Sequence, residues 1–283
     1  MGKLGAFLRI MRPVNCLMMG FAIIVGAILA RTNGSSFLWA DLTYGYATGF
    51  TLTAGSMVAN DYYDRNIDAI NEPNRPIPSG LIKPREALAF AFLLALIGFG
   101  TAYLTSIFSL AIAAVSWLIF TAYTIVGKRS GLPGNFLVSS CVAIPFVYGS
   151  VVVTDAVQLN VLFFVAIVFL ANTGREVTKG IVDIQGDKTQ KVNTLAVRFG
   201  SKTAAVVAAA FYISATLLTP IPLLLRLVTI WFIPLATVTD IGLLAFSIAL
   251  LKDHSRESAR MIKRLVLLWF VIGLIAFLIG APR

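Results

Sequence analysis

The chain has 283 residues, of which 58% are hydrophobic and 13% are charged, and its mean hydropathy is +0.86. This composition excludes a soluble globular domain and is typical of a polytopic membrane protein. The net charge of +10 does not indicate nucleic-acid binding, because the basic residues are confined to alternate connections between apolar segments.

Nine apolar stretches are each about long enough to cross the hydrocarbon core of a bilayer. All but three of the 23 basic residues lie in the N-terminal arm or in every second connection, and the exceptions are Arg31, Arg226 and Arg283. The positive-inside rule therefore predicts a multi-pass protein of the cell membrane, with its N-terminus in the cytoplasm and its C-terminus outside. We predict an all-α fold in which residues 1–283 form a single domain with nine transmembrane helices. These helices are expected over residues 14–30, 42–60, 87–104, 108–126, 135–153, 157–178, 203–219, 230–251 and 263–280.

The first predicted helix begins at Arg12-Pro13, since proline suits the first turn of a helix. Arg12 and Asn15 are then placed at the cytoplasmic interface. Arg12 is either an interfacial anchor or a residue that binds a ligand, and Asn15 is either a polar residue of the helix N-terminus or a residue that binds a ligand.

The second predicted helix carries polar residues at its cytoplasmic end, in the pattern Asn60-Asp61-x-x-Asp64-x-x-x-Asp68. At about 100° of rotation per residue, these four side chains share one helix face. Carboxylates about 6 Å apart repel each other by roughly 3 kcal/mol at an effective dielectric near 20, so the cluster favours a bound cation. Oxygen ligands of this kind suit Mg²⁺. A solvated acidic face is the alternative, but ionisable groups beside a membrane span are by default functional.

Prolines at 73, 76 and 78 end this helix and begin a polar connection of about fifteen residues that contains Arg75, long enough to act as a lid. The fourth predicted helix ends at Lys128 and Arg129. These two residues either flank the span or bind a diphosphate near the first acidic face.

The sixth predicted helix repeats the spacing of the second, with Arg175, Glu176, Lys179 and Asp183 followed one turn later by Asp187. Both helices run from outside to inside, so their polar ends can face each other across one cavity on the cytoplasmic side. The shared spacing also hints at an internal repeat of four helices, about 14–126 and 135–251, with the ninth helix added.

Three further features follow from this stretch and from the remaining spans. We expect Gly186 to end the sixth helix and to begin a second long polar loop that reaches Ser201. Asp240, within the eighth span, is expected to have a hydrogen-bonded packing role. Cys16 and Cys141 are interpreted as packing residues.

A paired set of acidic and basic residues above an apolar cavity suits a substrate with a diphosphate head and a hydrocarbon tail. This favours allylic diphosphate chemistry, in which aromatic faces stabilise an allylic cation. Tyr62, Tyr63, Tyr123 and Tyr148 are candidates for that contact, and none is assigned. A cation-coupled transporter is the alternative of another class, because intramembrane carboxylates and repeated helices also build carriers.

The two motifs and the nine spans resemble the UbiA superfamily of intramembrane prenyltransferases. The resemblance implies a helical bundle around a central cavity and two Mg²⁺ ions that bridge the diphosphate. It implies Asn60, Asp64, Asp68, Asp183 and Asp187 as metal ligands, the four aspartates also being catalytic. Asp61 matches the first motif as well. It is either a metal ligand itself or a residue that contacts the metal ligands.

The short spacer before Arg75-Pro76 and the Arg175-Glu176-x-x-Lys179 stretch are similar to the archaeal ether-lipid branch of this superfamily. That resemblance implies geranylgeranyl diphosphate as donor and the sn-2 hydroxyl of geranylgeranylglyceryl phosphate as acceptor. Chlorophyllide, 4-hydroxybenzoate and quinone precursors are alternative acceptors. An anionic acceptor needs extra positive charge. Together with Asn15, the expected substrate-binding residues are Arg12, Arg75, Lys128, Arg175 and Lys179.

Overall fold

The computed structural model describes residues 2–31, 39–189 and 191–282, apart from the side chains of residues 67 and 71. Arg283, one of the basic residues expected on the outer side, lies outside these ranges. The described residues form helices and connections without a strand. The helices are α1 (Lys3–Met11), α2 (Pro13–Ala30), α3 (Trp39–Asn71), α4 (Pro84–Thr105), α5 (Ile107–Ile125), α6 (Leu132–Thr154), α7 (Leu159–Val182), α8 (Ile184–Thr189), α9 (Leu195–Leu218), α10 (Pro220–Leu224), α11 (Ile233–Lys252) and α12 (Arg256–Gly280).

Nine long helices of this part of the chain match the nine predicted spans, and eight of them are apolar enough to cross a membrane. The ninth, α3, has 33 residues and a lower hydropathy. Between residues 44 and 60 none of its side chains is exposed, so its polar groups face other helices or the cavity inside the bundle rather than lipid. The hydroxyls of Thr48 and Thr101, for example, lie 2.8 Å apart between α3 and α4. An interior helix of this kind can be polar and still belong to the bundle.

The short helix α1 precedes the first span and was not predicted as a separate element. It ends at Arg12, whose φ of 55° turns the chain into α2, and Pro13 takes the first position of that helix as expected. Ala6 and Ile10 are buried in a cluster that includes Val58 of α3. This packing fixes Arg12 beside the polar end of α3.

Helices α2 and α6 approach closely through two glycines. A methyl group added at Gly26 would collide with the backbone of Phe146, and one added at Gly149 would collide with the backbone of Ile23. Small residues allow membrane helices to pack at short distance. This contact joins the two halves of the chain, in which α2, α3 and α4 pack in the same order as α6, α7 and α9. The internal repeat stays a prediction.

The connection between α3 and α4 is polar in sequence but anchored by two apolar side chains. Ile77 and Ile82 are buried in the cluster that holds α1 against α3. Arg9 also donates to the backbone oxygen of Asn74 at 3.3 Å. The loop is therefore held over the end of the bundle.

The prediction that the sixth long helix ends at Gly186 was wrong, because α7 ends at Val182. The amide of Asp183 still donates to the Lys179 oxygen at 3.1 Å, but its φ of −101° and ψ of 10° end α7 there. The chain restarts as α8, in which the Asp187 amide donates to the Asp183 oxygen at 2.8 Å. The second loop is also shorter than expected, because α9 already begins at Leu195 and bends at Gly200.

Candidate active site at the polar end of the bundle

The end of α3 meets the turn that follows α5. Asn60 donates from Nδ2 to Asp64 Oδ2 at 3.0 Å, and Lys128 Nζ lies 2.6 Å from the same oxygen. Both partners of this ion pair are about one quarter exposed. The four-residue spacing thus brings Asn60 and Asp64 together as predicted, and the turn at Gly127–Arg129 adds a cation to them.

Asp61 lies at the centre of a second set of ion pairs. It is 4% exposed, Arg12 Nη2 lies 2.7 Å from its Oδ1, and Arg75 Nη1 lies 3.5 Å from the same atom. Arg75 also lies 2.7 Å from Asp68 Oδ2. Burial lowers the pKa of Arg75, but the carboxylates of Asp68 and Asp61 outweigh burial and raise that pKa above its usual value. Asp61 therefore connects the α1–α2 junction with the loop after α3.

Glu176 organises the cations of the second polar stretch. Arg175 Nη1 lies 2.9 Å from its Oε1, and Lys179 Nζ lies 3.1 Å from its Oε2. The Glu176 carboxylate is 8% exposed. Nε of Arg175 is buried and has no hydrogen-bond partner among the described residues. A buried donor without a partner is uncommon in a folded protein, and its position beside a carboxylate that is already paired makes it a candidate contact for an anionic ligand.

Asp183 and Asp187 lie at the break between α7 and α8. Burial raises the pKa of Asp187, and the neighbouring Asp183 carboxylate raises it further. A hydrogen bond with Thr194 and the charge of Lys179 act in the opposite direction. A nearby cation would lower the pKa again by favouring the charged form.

The two polar stretches lie near a common residue, Tyr123 of α5. Its hydroxyl interacts electrostatically with Lys179 and Glu176 from the second stretch and with Asp64 from the first. The backbone also links these regions, since the Asn193 amide donates to the oxygen of Arg129 at 3.3 Å. Both stretches therefore belong to the same end of the bundle, as predicted from the direction of their helices.

The donor atoms of the first stretch fit a magnesium ion, because amide and carboxylate oxygens are the ligands that Mg²⁺ prefers. Within residues 2–31, 39–189 and 191–282, however, no three His, Cys, Asp or Glu side chains lie close enough to hold a metal ion. The carboxylates of Asp64 and Asp68 are instead paired with Lys128 and Arg75.

Beneath the polar residues lies a cavity of about 430 Å³ between α2, α3, α5 and α6. Arg12, Asn60, Asp64 and Lys128 line its polar end. Most of its remaining wall is apolar or aromatic. The wall includes Thr48, Ala113, Trp117, Phe120, Tyr123 and Tyr148.

Part of this wall was not predicted from the sequence. Of the four candidate tyrosines, Tyr123 and Tyr148 line the cavity, whereas Tyr63 is exposed and Tyr62 packs against it and against Arg65. Trp117 and Phe120 were not identified, although Ala113, Trp117 and Phe120 follow the spacing of one helix face.

One of the expected substrate-binding residues, Asn15, lies apart from the cluster. Asn15 is exposed one turn after Arg12 and is not among the residues found to line the cavity. Arg129, which was expected either to flank the span or to bind a diphosphate, is exposed as well. Asp240 accepts a hydrogen bond from Thr219 at 3.0 Å, and Cys16 and Cys141 are free.

Comparison with known proteins gives matches over nearly the whole chain. Residues 19–280 match the model of the UbiA prenyltransferase family. The digeranylgeranylglyceryl phosphate synthase of Korarchaeum cryptofilum is 34% identical over 285 residues, covering 100% of this chain and 99% of that protein. The protein of the same name from Archaeoglobus fulgidus is 34% identical over 282 residues, covering 98% and 96%.

Solved structures agree with these matches. A structure described as digeranylgeranylglyceryl phosphate synthase in membranes has a TM-score of 0.87 and 29% identity, with 99% of each chain covered. A UbiA homologue from Archaeoglobus fulgidus bound to GPP and Mg²⁺ has a TM-score of 0.68 and 16% identity, covering 96% of this chain and 99% of that one. The second likeness shows the fold.

Proposed function

This chain belongs to the UbiA prenyltransferase family, and we propose that it transfers a geranylgeranyl group from geranylgeranyl diphosphate to the sn-2 hydroxyl of geranylgeranylglyceryl phosphate. The product is digeranylgeranylglyceryl phosphate, an ether lipid. The names of its full-length relatives support this choice of substrates. Membership of a prenyltransferase family removes the transporter alternative.

The observation that carries the proposal is the position of Asp64 and Lys128 at the mouth of an apolar cavity. A prenyl diphosphate matches this arrangement of polar and apolar walls, because it has a charged head and a long apolar tail. Binding the tail in the cavity places the diphosphate beside Lys128, Asn60 and Asp64. The site therefore orients the donor with its reactive carbon at the boundary between polar and apolar walls.

In the proposed reaction the bond between the first prenyl carbon and the diphosphate oxygen breaks, and that carbon forms an ether bond with the acceptor oxygen. Diphosphate and the hydroxyl proton are released. Lys128 and Arg75 are placed to share the negative charge of the departing diphosphate. Tyr123 and Phe120 line the cavity wall, and we propose that they lie next to the reacting carbon, where aromatic faces stabilise positive charge and exclude water.

We propose that Asn60, Asp64 and Asp68 would hold one magnesium ion and that Asp183 and Asp187 would hold a second. When bound, the metal neutralises diphosphate charge and makes diphosphate a better leaving group. Lys128 and Arg75, which now neutralise Asp64 and Asp68, would then be free to turn toward the phosphate oxygens. The Mg²⁺-bound relative supports metal dependence of the family.

Arg175 and Lys179 are proposed to bind the phosphate of the acceptor, together with Arg12. Glu176 holds both side chains in place, and the unpaired Nε of Arg175 offers a further donor. Arginine suits this task because its planar group can bind two phosphate oxygens. The charge pattern of the connections supports a cytoplasmic N-terminus and a site that opens to the cytoplasm.

The test is an assay of the purified protein with Mg²⁺, labelled geranylgeranyl diphosphate and one acceptor at a time. We expect diphosphate release and an ether lipid with geranylgeranylglyceryl phosphate. No product is expected with 4-hydroxybenzoate, a quinone precursor or a chlorophyllide. Asp64→Asn is expected to abolish turnover. Product with one of the other acceptors alone would overturn the choice of acceptor, and equal turnover by Asp64→Asn would overturn the site.

A further inference from the structure

We infer that Tyr148 and Thr48 form the floor of the cavity and thereby set the length of prenyl chain that this protein accepts. This inference rests on the proposed function, since it concerns the donor of that reaction. Both residues line the cavity, and both are nearly fully buried, at 3% and 1% exposure. They are also its deepest wall residues on α6 and α3.

The depth of this floor follows from the position of Thr48 on α3. Thr48 lies sixteen residues before Asp64 on α3, which at about 1.5 Å per residue is about 24 Å. Tyr148 of α6 lies at the same level, because its hydroxyl is 3.3 Å from Thr48 Oγ1. An extended geranylgeranyl chain has about sixteen main-chain carbons, and bonds of about 1.5 Å give it a length of about 20 Å. The chain therefore fits, whereas one more isoprene unit adds about 5 Å and brings the chain to about 25 Å, so that its end reaches the floor residues.

The floor is closed and held in place. The Tyr148 hydroxyl donates to Thr48 Oγ1 at 3.3 Å, and Thr48 in turn pairs with Thr101 of α4 at 2.8 Å. Behind the ring, a methyl group added at Gly45 would lie 3.2 Å from Val152 and 3.6 Å from the ring itself. The layer beyond Tyr148 is thus filled, and a longer chain cannot pass without moving it.

Two substitutions move this boundary in opposite directions. Tyr148→Ala removes the ring and should raise the ratio of kcat/KM for geranylfarnesyl diphosphate over geranylgeranyl diphosphate by at least about tenfold, or about 1.4 kcal/mol. Ala113→Leu adds a side chain to the cavity wall above the floor. It should lower the ratio for geranylgeranyl over farnesyl diphosphate by at least about tenfold.

Matched controls make the same chemical changes on the outer surface. Tyr103→Ala alters an exposed tyrosine of α4, and Ala111→Leu alters an exposed alanine of α5. Both controls should keep the wild-type ratios. Because Tyr148→Ala removes a buried ring and can unfold the protein, Ala113→Leu tests the boundary without creating a cavity.

The experiment gives the purified proteins Mg²⁺, geranylgeranylglyceryl phosphate and competing prenyl diphosphates, and measures the ether products by mass spectrometry. If the wild-type protein forms no ether product from any donor, the proposed function is overturned. If it forms product but Ala113→Leu and a folded Tyr148→Ala keep the wild-type ratios, the floor is overturned while the proposed function stands. If the donor ratios also change in both control variants, the assignment of the floor is overturned as well.

Discussion

Asp61→Asn distinguishes a metal ligand from a carboxylate that holds two arginines. Asp61 is 4% exposed and lies 2.7 Å from Arg12 and 3.5 Å from Arg75. The substitution keeps the shape of the side chain and removes its charge. We expect it to destabilise the protein in the absence of metal, because two arginines lose a buried partner.

The magnitude follows from the exposure of the partners. Removing one member of a fully buried ion pair costs about 3–5 kcal/mol. Arg12 and Arg75 keep about a third of their side-chain surface in contact with solvent, 35% and 31%, and so retain part of their hydration. We therefore expect a loss of about 2 kcal/mol, within the range for a hydrogen bond to a charged group. For a chain of this size that corresponds to a decrease in melting temperature of about 5 °C.

The assay is thermal unfolding in detergent micelles, with and without Mg²⁺ plus geranylgeranyl diphosphate. Asp64→Asn is the matched control, because its carboxylate and Lys128 are each about one quarter exposed. Asp61→Asn should lower both melting temperatures by a similar amount. Asp64→Asn should leave the metal-free value closer to wild type and remove most of the shift that ligands cause. An Asp61→Asn protein with wild-type stability and no ligand-induced shift would refute the ion-pair interpretation and make Asp61 a ligand.

Three further predictions concern the cations and the orientation of the site. Glu176→Gln should raise the KM for geranylgeranylglyceryl phosphate by about tenfold while kcat changes little, because Arg175 and Lys179 lose the carboxylate that orients them. An unchanged KM in steady-state kinetics would contradict this. Lys128→Met should lower kcat by about 10²-fold, which is the typical cost of losing a charge-stabilising donor. The measurement is single-turnover product formation, and equal rates for Lys128→Met and wild type would remove Lys128 from the leaving-group site. Lys188→Cys should react with a membrane-impermeant maleimide in inside-out vesicles and not in right-side-out vesicles, and the reverse pattern would invert the proposed topology.

Hydropathy and length predicted the long helices because each of them has to satisfy its backbone inside the bilayer. Two features of the fold had no such signal. The extra helix α1 is short, and its place against α3 depends on contacts of Ala6 and Ile10 with residues distant in sequence. The break at Asp183 precedes the glycine that was expected to end the helix, since the α7–α8 junction depends on packing that a single stretch of sequence does not contain.

Local spacing also predicted part of the site. Asn60 and Asp64 are neighbours because four residues make about one helical turn, and the observed hydrogen bond of 3.0 Å confirms this contact. The pairing of Lys128 with Asp64 joins residues that are 64 positions apart, and only the packing of α5 against α3 brings them together. The cavity wall also depends on helix packing. In an apolar helix such as α5, sequence spacing alone does not show whether Trp117 faces lipid or the cavity.

The most direct test of the account is whether the two acidic stretches serve one site. The measurement is the rise in melting temperature caused by Mg²⁺ plus geranylgeranyl diphosphate in wild type, Asp64→Asn, Asp187→Asn and the double variant. If both stretches bind the same ligand complex, each single substitution should remove most of the rise, and the double variant should lose no more than either one. A full rise in one of the single variants, or losses that simply add, would contradict the account.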